Sequence, residues 1–328
     1  GAAHPDAIPG GRVRISLSDL RFFLEDPAGS RLSRHFGLGL SITADDPLLY
    51  DDEPLFSAYP DNYSLVSGAL ERYVLTGDEQ AGAAWLEESY RRMSMTGRSP
   101  AGAFMKVDME TLARRVHDRI RGGDGRPGIG SYLARAQAGR FIRGISLGVT
   151  DERYEMNMNP LCMTLREGER EVQVEITGAL PFLWEHGDCC ETLVMNGSDT
   201  LSPRRIIGPF LFYAAAATGL HEGLSSIAGK GAFCARIEMK KKFQAWTWKL
   251  SPENARCYLE RLVRDYLFDS SVYSLPAGIV MHRNMGGVPA IEDHGSAEVK
   301  SGYRNRFIRV LAGESESDFS SYAPGELV

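Results

Sequence analysis

The hydrophobic period of this chain changes once, and that change limits what it can fold into. Before residue 122 apolar side chains recur at helical spacing; after residue 130 they alternate. Between the two lies Gly122 to Gly130, with five glycines and a proline, which marks a loop and a subdomain seam. A helical first part followed by a sheet-bearing second part is therefore expected, as in an α/β (α+β) protein.

On the helical side, Ser16-Leu17-Ser18-Asp19-Leu20 opens a helix. Ser16 and Asp19 are spaced as a capping box, Leu20, Phe23 and Leu24 form the apolar face, and Pro27 is the stop. Acidic Asp45 to Pro54 reads as a loop. Helices are expected at about Ser67 to Leu75, Glu79 to Met93 and Val107 to Ile120. In the last, Met109, Leu112, Val116 and Ile120 face inward, leaving His117 as a surface histidine. On the sheet side, strands are expected at Phe141 to Val149, Met156 to Leu165, Val172 to Phe182 and Thr192 to Met195. Ser202-Pro203 starts a helix through Ala217, and a hairpin of Phe233 to Met239 and Phe243 to Leu250 turns around three lysines. Ser251-Pro252-Glu253 caps an amphipathic helix. Trp246 and Trp248 share one side of their strand, where core packing is the simpler role. The acidic, Ser-rich segment from Gly313 is expected to be disordered.

Bulk properties exclude several classes. The longest apolar stretch, Phe210 to Ala217, is far short of the roughly 20 residues of a membrane helix. Five cysteines without CxxC spacing suggest neither a disulfide framework nor a zinc site, so a soluble protein of the reducing cytoplasm is expected, without cofactor. The first residues have no initiator Met and no signal-peptide pattern, and read as part of a longer polypeptide. A net charge of -6 argues against a surface coated by nucleic acid and leaves local basic patches. Lys240, Lys241 and Lys242 form one, Arg204 and Arg205 another; further candidates are Arg114, Arg115, Arg119 and Arg121, and Arg304, Arg306 and Arg309. Gly223 to Lys230 imitates a phosphate loop, but it leads into a strand rather than a helix whose amides could meet an anion.

The order helix, strand, strand, strand, helix, strand over residues 109 to 239 is that of the restriction-endonuclease-like core, a mixed central sheet flanked by helices. There a carboxylate on the second strand and an Asp/Glu-x-Lys on the third hold magnesium, because a hard cation needs oxygen ligands that offset its charge. In Gly178-Ala179-Leu180-Pro181 a proline stands where a nuclease has its Asp, and Thr192 to Gly197 offers no Asp-x-Lys. No metal cage and no catalytic residue are expected. The rival is an active nuclease with relocated groups, Glu175, Glu191 and Lys240; a third reading is a plain protein-interaction module.

Several segments taken in order resemble the carboxy-terminal region of RecC, the gamma subunit of exodeoxyribonuclease V. They are Ile15 to Phe23 with Pro27, Asp52 to Phe56, Leu70 to Tyr73, Ile176 to Pro181, Phe212 to Ala217, Ser251 to Ala255 and Tyr303 to Leu311. One departure is the stretch between Phe56 and Gly68, with Tyr59 to Tyr63 in it, which is longer than the family pattern and reads as an extra loop. The resemblance implies a nuclease-like fold without an active site, serving as scaffold beside a RecB-type helicase-nuclease and a RecD-type helicase in double-strand-break repair. Duplex or forked DNA and separated strands would be its ligands. Lys240, Lys241, Lys242, Arg204 and Arg205 are the phosphate contacts proposed on this reading. The expected division is a helical part over 1–130, a nuclease-like core over 131–275, an extension over 276–312 and a tail over 313–328.

Overall fold

A computed structural model describes residues 7–8, 12–30, 57 and 59–268, less 28, 101, 124, 137, 168–169, 199–200, 202–203, 225–226 and 228. The expected loop at Asp45 to Pro54, the segment Tyr303 to Leu311 with its arginines, the extension and the tail lie outside these residues.

The chain opens with strands β1 (Ala7–Ile8) and β2 (Arg12–Ser16) and helix α1 (Leu17–Glu25). The expected capping box is present: the Asp19 amide donates to Ser16 Oγ at 3.0 Å and the Ser16 amide to Asp19 Oδ2 at 2.8 Å. Two backbone donors that the first turn would leave unpaired are thereby satisfied. Helices α2 (Tyr59–Thr76), α3 (Glu79–Met95) and α4 (Gly102–Arg121) follow. The Tyr59 to Tyr63 stretch is thus the first turn of α2 and not an extra loop. Pro60 is tolerated there because early amides lack intrahelical acceptors, and Asp61 faces the positive end of the helix.

The glycine-rich seam folds as a two-stranded ribbon, β3 (Gly122–Gly123) with β4 (Arg126–Pro127), and then as a short helix α5 (Ile129–Ala136). Beyond it come β5 (Arg140–Ile142), β6 (Ile145–Leu147), β7 (Met156–Met158), β8 (Leu161–Glu167), β9 (Arg170–Leu180), β10 (Leu183–His186) and β11 (Cys189–Met195). Helix α6 (Arg204–Ala217), strands β12 (Ala232–Glu238) and β13 (Phe243–Trp248) and helix α7 (Pro252–Phe268) complete the described chain.

The strands form two main sheets, a six-stranded one ordered β1-β2-β9-β6-β7 with β8 also on β9, and a five-stranded one ordered β13-β12-β11-β10-β5. They share one bent ribbon. Ile145 to Leu147 face Leu180 to Gly178, and Arg140 to Ile142 face Glu185 to Leu183, in one unbroken antiparallel register. The ribbon breaks at Arg143-Gly144 on one side and Pro181-Phe182 on the other. Gly144 has φ +91°, and a β-carbon there would come 2.6 Å from the Tyr154 ring and 2.9 Å from the Pro181 carbonyl. Only glycine satisfies both the backbone angle and the space.

The five-stranded sheet is mixed, with β10-β11 antiparallel, β11-β12 parallel and β12-β13 antiparallel. Its two faces bury different clusters. One face, with Leu183, Cys190, Val194, Phe233, Ala235, Ile237 and Trp248, packs on α6, α7 and α1. The other, with Trp184, Leu193 and Met195, packs on α2 to α5 through residues such as Leu70, Leu86, Leu112 and Tyr132. The described chain is therefore α+β, a mixed sheet with helices on both faces. Along it run α5, β5, β10, β11, α6 and β12, with β6 to β9 inserted between the first and second of these strands; of these, α5 and β10 are elements that the sequence reading did not place.

Two expectations change. The segment Val172 to Phe182 is not the second strand of the five-stranded sheet; that position belongs to β10, because the ribbon bends at Pro181 and carries the chain into the other sheet. The seam at residue 130 is no boundary of packing either. Strand β2 pairs in parallel with β9, and α1 buries Leu20 and Phe23 in the same cluster as α6 and α7.

Candidate functional site

On the nuclease-like order expected from the sequence, the metal-binding acids would have to lie on β10 and β11. Strand β11 carries Glu191, which the expected strand start at Thr192 left out. The residue is buried, 8% exposed, on the face covered by α5. Oε1 accepts from the Tyr132 hydroxyl, and Oε2 accepts from Arg236 Nη2 of the neighbouring β12 at 2.9 Å. Both oxygens are thus taken by protein donors, one of them a cation. Two residues on, where an Asp/Glu-x-Lys would place its lysine, stands Leu193, itself buried.

On β10 the residue opposite Glu191 is Trp184. The strand's acid, Glu185, is one position along and so points to the other face; it pairs with Arg140 at 3.6 Å. No group of three or more His, Cys, Asp or Glu that could hold a metal ion exists among the described residues. A magnesium cage needs converging oxygens, and here the two buried acids on this face of the sheet, Glu191 and Glu238, are each already held by a guanidinium, Arg236 and Arg119. The residues do not fit the metal.

Tyr132 and Arg236 are both held in their protonated forms. Desolvation first, and then the Glu191 charge, push the Tyr132 hydroxyl far above the ordinary tyrosine range, so it stays a donor. The Arg236 guanidinium is raised, chiefly by its bond to Glu191. Tyr132 stacks on Phe243 at 5.3 Å and meets Trp184 edge-on at 5.6 Å. Tyr132 and Phe243 line a cleft of about 480 Å³ that is also lined by Glu191 and Arg236.

The relocated set does not assemble. Glu175 lies on β9 in the six-stranded sheet, bound by Arg14 at 3.1 Å and Arg12 at 3.5 Å. Glu191 belongs to the other sheet. Lys240 follows β12, whose Cys234 is the neighbour of Glu191; six residues of roughly 3.3 Å each put it about 20 Å along.

The basic residues do gather. Lys240, Lys241 and Lys242 are exposed in the β12-β13 turn, closed by the Met239 amide donating to the Lys242 carbonyl at 2.9 Å. The Lys240 amide donates to the Ser198 carbonyl at 3.0 Å, and Arg126 of β4 reaches the Lys240 carbonyl at 3.4 Å. Arg205 lies 4.0 Å over the Tyr63 ring, whose hydroxyl donates to the Met195 carbonyl at 2.6 Å. Lysines and Arg205 thus flank the same stretch, Met195 to Ser198. Arg204 opens α6, and its side chain lies outside the described residues. Beneath this stretch Arg119 grips Glu238 with Nε at 2.9 Å and with Nη2, while Glu238 accepts from the Gly197 amide at 3.1 Å. Arg119 is therefore a structural clamp and not an open phosphate contact. The other helical basic residues divide: Arg114 and Arg115 are exposed, and Arg121 and His117 both hold Glu79.

Comparison with known families bears on the same helices. Residues 13–122 match the family model of the RecC C-terminal domain. The resemblance read in the sequence is borne out over this stretch, which runs from β2 through α4 and ends before α5, the helix that carries Tyr132 over Glu191. No curated protein matches the chain. Among solved structures, one titled "Crystal structure of SSO0001" is similar at 12% identity over 69% of this chain and 82% of that one, with a TM-score of 0.25. No helix of the described residues is long and apolar enough to cross a membrane.

Proposed function

We propose that this chain is a non-catalytic, DNA-contacting scaffold of a RecBCD-type helicase-nuclease, working beside a RecB-type helicase-nuclease and a RecD-type helicase in the cytoplasm. The observation that carries the reading is the state of Glu191. A nuclease-like order of elements leaves one acid on the third strand, and a guanidinium and a phenol occupy both of its oxygens. The RecC C-terminal match over residues 13–122 supports the assignment to that complex.

DNA contact rests on charge. The chain is acidic overall, so a phosphate-binding surface must be local, and the exposed Lys240, Lys241 and Lys242 with Arg126 and Arg205 form such a surface around one edge of the five-stranded sheet. The test is the salt dependence of binding to a forked duplex, followed by fluorescence anisotropy. Each phosphate contact contributes roughly 0.9 to the slope of log K against log salt. Changing the three lysines to Ala is expected to reduce that slope by about 2–3. An unchanged slope removes them from the interface, and no binding even near 50 mM salt overturns the DNA-contacting role in favour of a protein-interaction module.

A further inference from the structure

The cleft beside Glu191 has a chemistry that the scaffold role leaves unused. Its volume of about 480 Å³ falls within the span of small-molecule sites, ~300–1,000 Å³. Arg236 makes a single hydrogen bond among the described residues, Nη2 to Glu191, out of the five N–H donors of a guanidinium. Its side chain is 34% exposed, and its Nε is buried without a partner. It is an under-satisfied cation at an opening. Arg135 lines the same cleft, is exposed, and spends its Nε on a 3.4 Å bond to the Ser131 carbonyl of its own helix.

Two guanidiniums against one carboxylate make the cleft a site for an anion, and guanidinium geometry suits a phosphate's paired oxygens. The half-buried Phe243, backed by the stacked Tyr132, adds a flat apolar face of the kind on which nucleobases stack. We infer that this cleft binds one nucleotide unit, with its phosphate on Arg236 and Arg135 and its base against Phe243. The recognised chemistry is a phosphate monoester joined to an aromatic base, from a free nucleoside monophosphate or from the phosphorylated end of a strand. The inference rests on the proposed DNA role only where it names the strand as a source.

Calorimetric titration of the intact chain with dTMP, thymidine and inorganic phosphate tests it. We expect dTMP to bind with a Kd below about 1 mM and thymidine at least about tenfold more weakly. Arg135→Ala removes a charge-assisted contact from an exposed position, so it weakens dTMP about tenfold without moving the melting temperature. Phe243→Leu weakens dTMP and leaves inorganic phosphate unchanged, a pattern that loss of folding would not give. A single strand with a terminal phosphate that displaces dTMP, where the unphosphorylated strand does not, assigns the site to strand ends; failure of both to displace it assigns the site to free nucleotides. No dTMP binding up to about 10 mM, or equal binding of thymidine and dTMP, overturns the inference. If dTMP fails while forked DNA binds with the lysine-dependent slope, the cleft inference falls alone. If dTMP binds while forked DNA does not, the scaffold reading falls and the cleft remains.

Discussion

Replacing Arg236 by Met is the most direct perturbation of the Glu191 cluster. Among the described residues it removes the only cation bound to Glu191, a residue 8% exposed, and leaves the Tyr132 hydroxyl as the donor to its carboxylate. Unpairing a fully buried ion pair costs about 3–5 kcal/mol. Arg236 itself is 34% exposed, so solvent screens part of the interaction and a loss of about 1–3 kcal/mol is expected. The double change Glu191→Gln with Arg236→Met removes the stranded charge and keeps an acceptor for Tyr132. It should cost less than the sum of the single changes, with a coupling of about 1–2 kcal/mol. Urea denaturation of the four proteins measures this. A chain of this size shifts its melting temperature by roughly 2–4 °C per kcal/mol, so Arg236→Met should be visible by calorimetry as well. If the two single changes add to within about 0.5 kcal/mol, the carboxylate and guanidinium are not energetically coupled, and the claim that Arg236 neutralises the remaining acid is refuted.

Two further predictions concern the frame around the site. Gly144→Ala places a β-carbon 2.9 Å from the Pro181 carbonyl at a φ of +91°, and should cost at least about 1–3 kcal/mol; a melting temperature unchanged to within a degree would show that the bend joining the two sheets tolerates a side chain. Thiol labelling near pH 8 should modify exposed Cys162 and Cys257 first. Burial pushes the Cys190 thiol up to about 12 and Cys234 up to about 11, so few thiolates form on the buried pair and modification there must await opening. Peptide mapping that finds Cys190 labelled in the native protein as fast as Cys162 would contradict that burial.

What the sequence disclosed was local. Ser16 and Asp19 are three residues apart, and their reciprocal bonds depend on nothing else, so the start of α1 was legible. The same holds for α7, whose inward residues Ala255, Tyr258, Leu259, Leu262, Val263 and Tyr266 follow a single helical stripe. Helix α5 was hidden because it begins in a glycine-rich stretch, where propensity argues for a loop and only the burial of Ile129, Tyr132 and Ala136 argues for a helix. Strand β10 was hidden by Pro181, which reads as the end of a strand and is in fact the bend between two. The site itself had no local signature. Tyr132 and Glu191 are 59 residues apart and Glu191 and Arg236 are 45, so they meet only through the pairing of β11 with β12 and the packing of α5 above them. One signal was available: Glu191 alternates with buried Leu193 and Met195 on the same face of its strand, and a buried acid among such neighbours demands a partner.

The central claim, that Glu191, the acid of β11, serves packing and not catalysis, meets its most direct test in a single incubation. Purified chain is mixed with linear duplex DNA and magnesium, and the DNA is followed by gel over hours. The account predicts full-length DNA at every time point, for the native protein and for Glu191→Gln alike. Magnesium-dependent degradation that the native protein carries out and Glu191→Gln abolishes would contradict it.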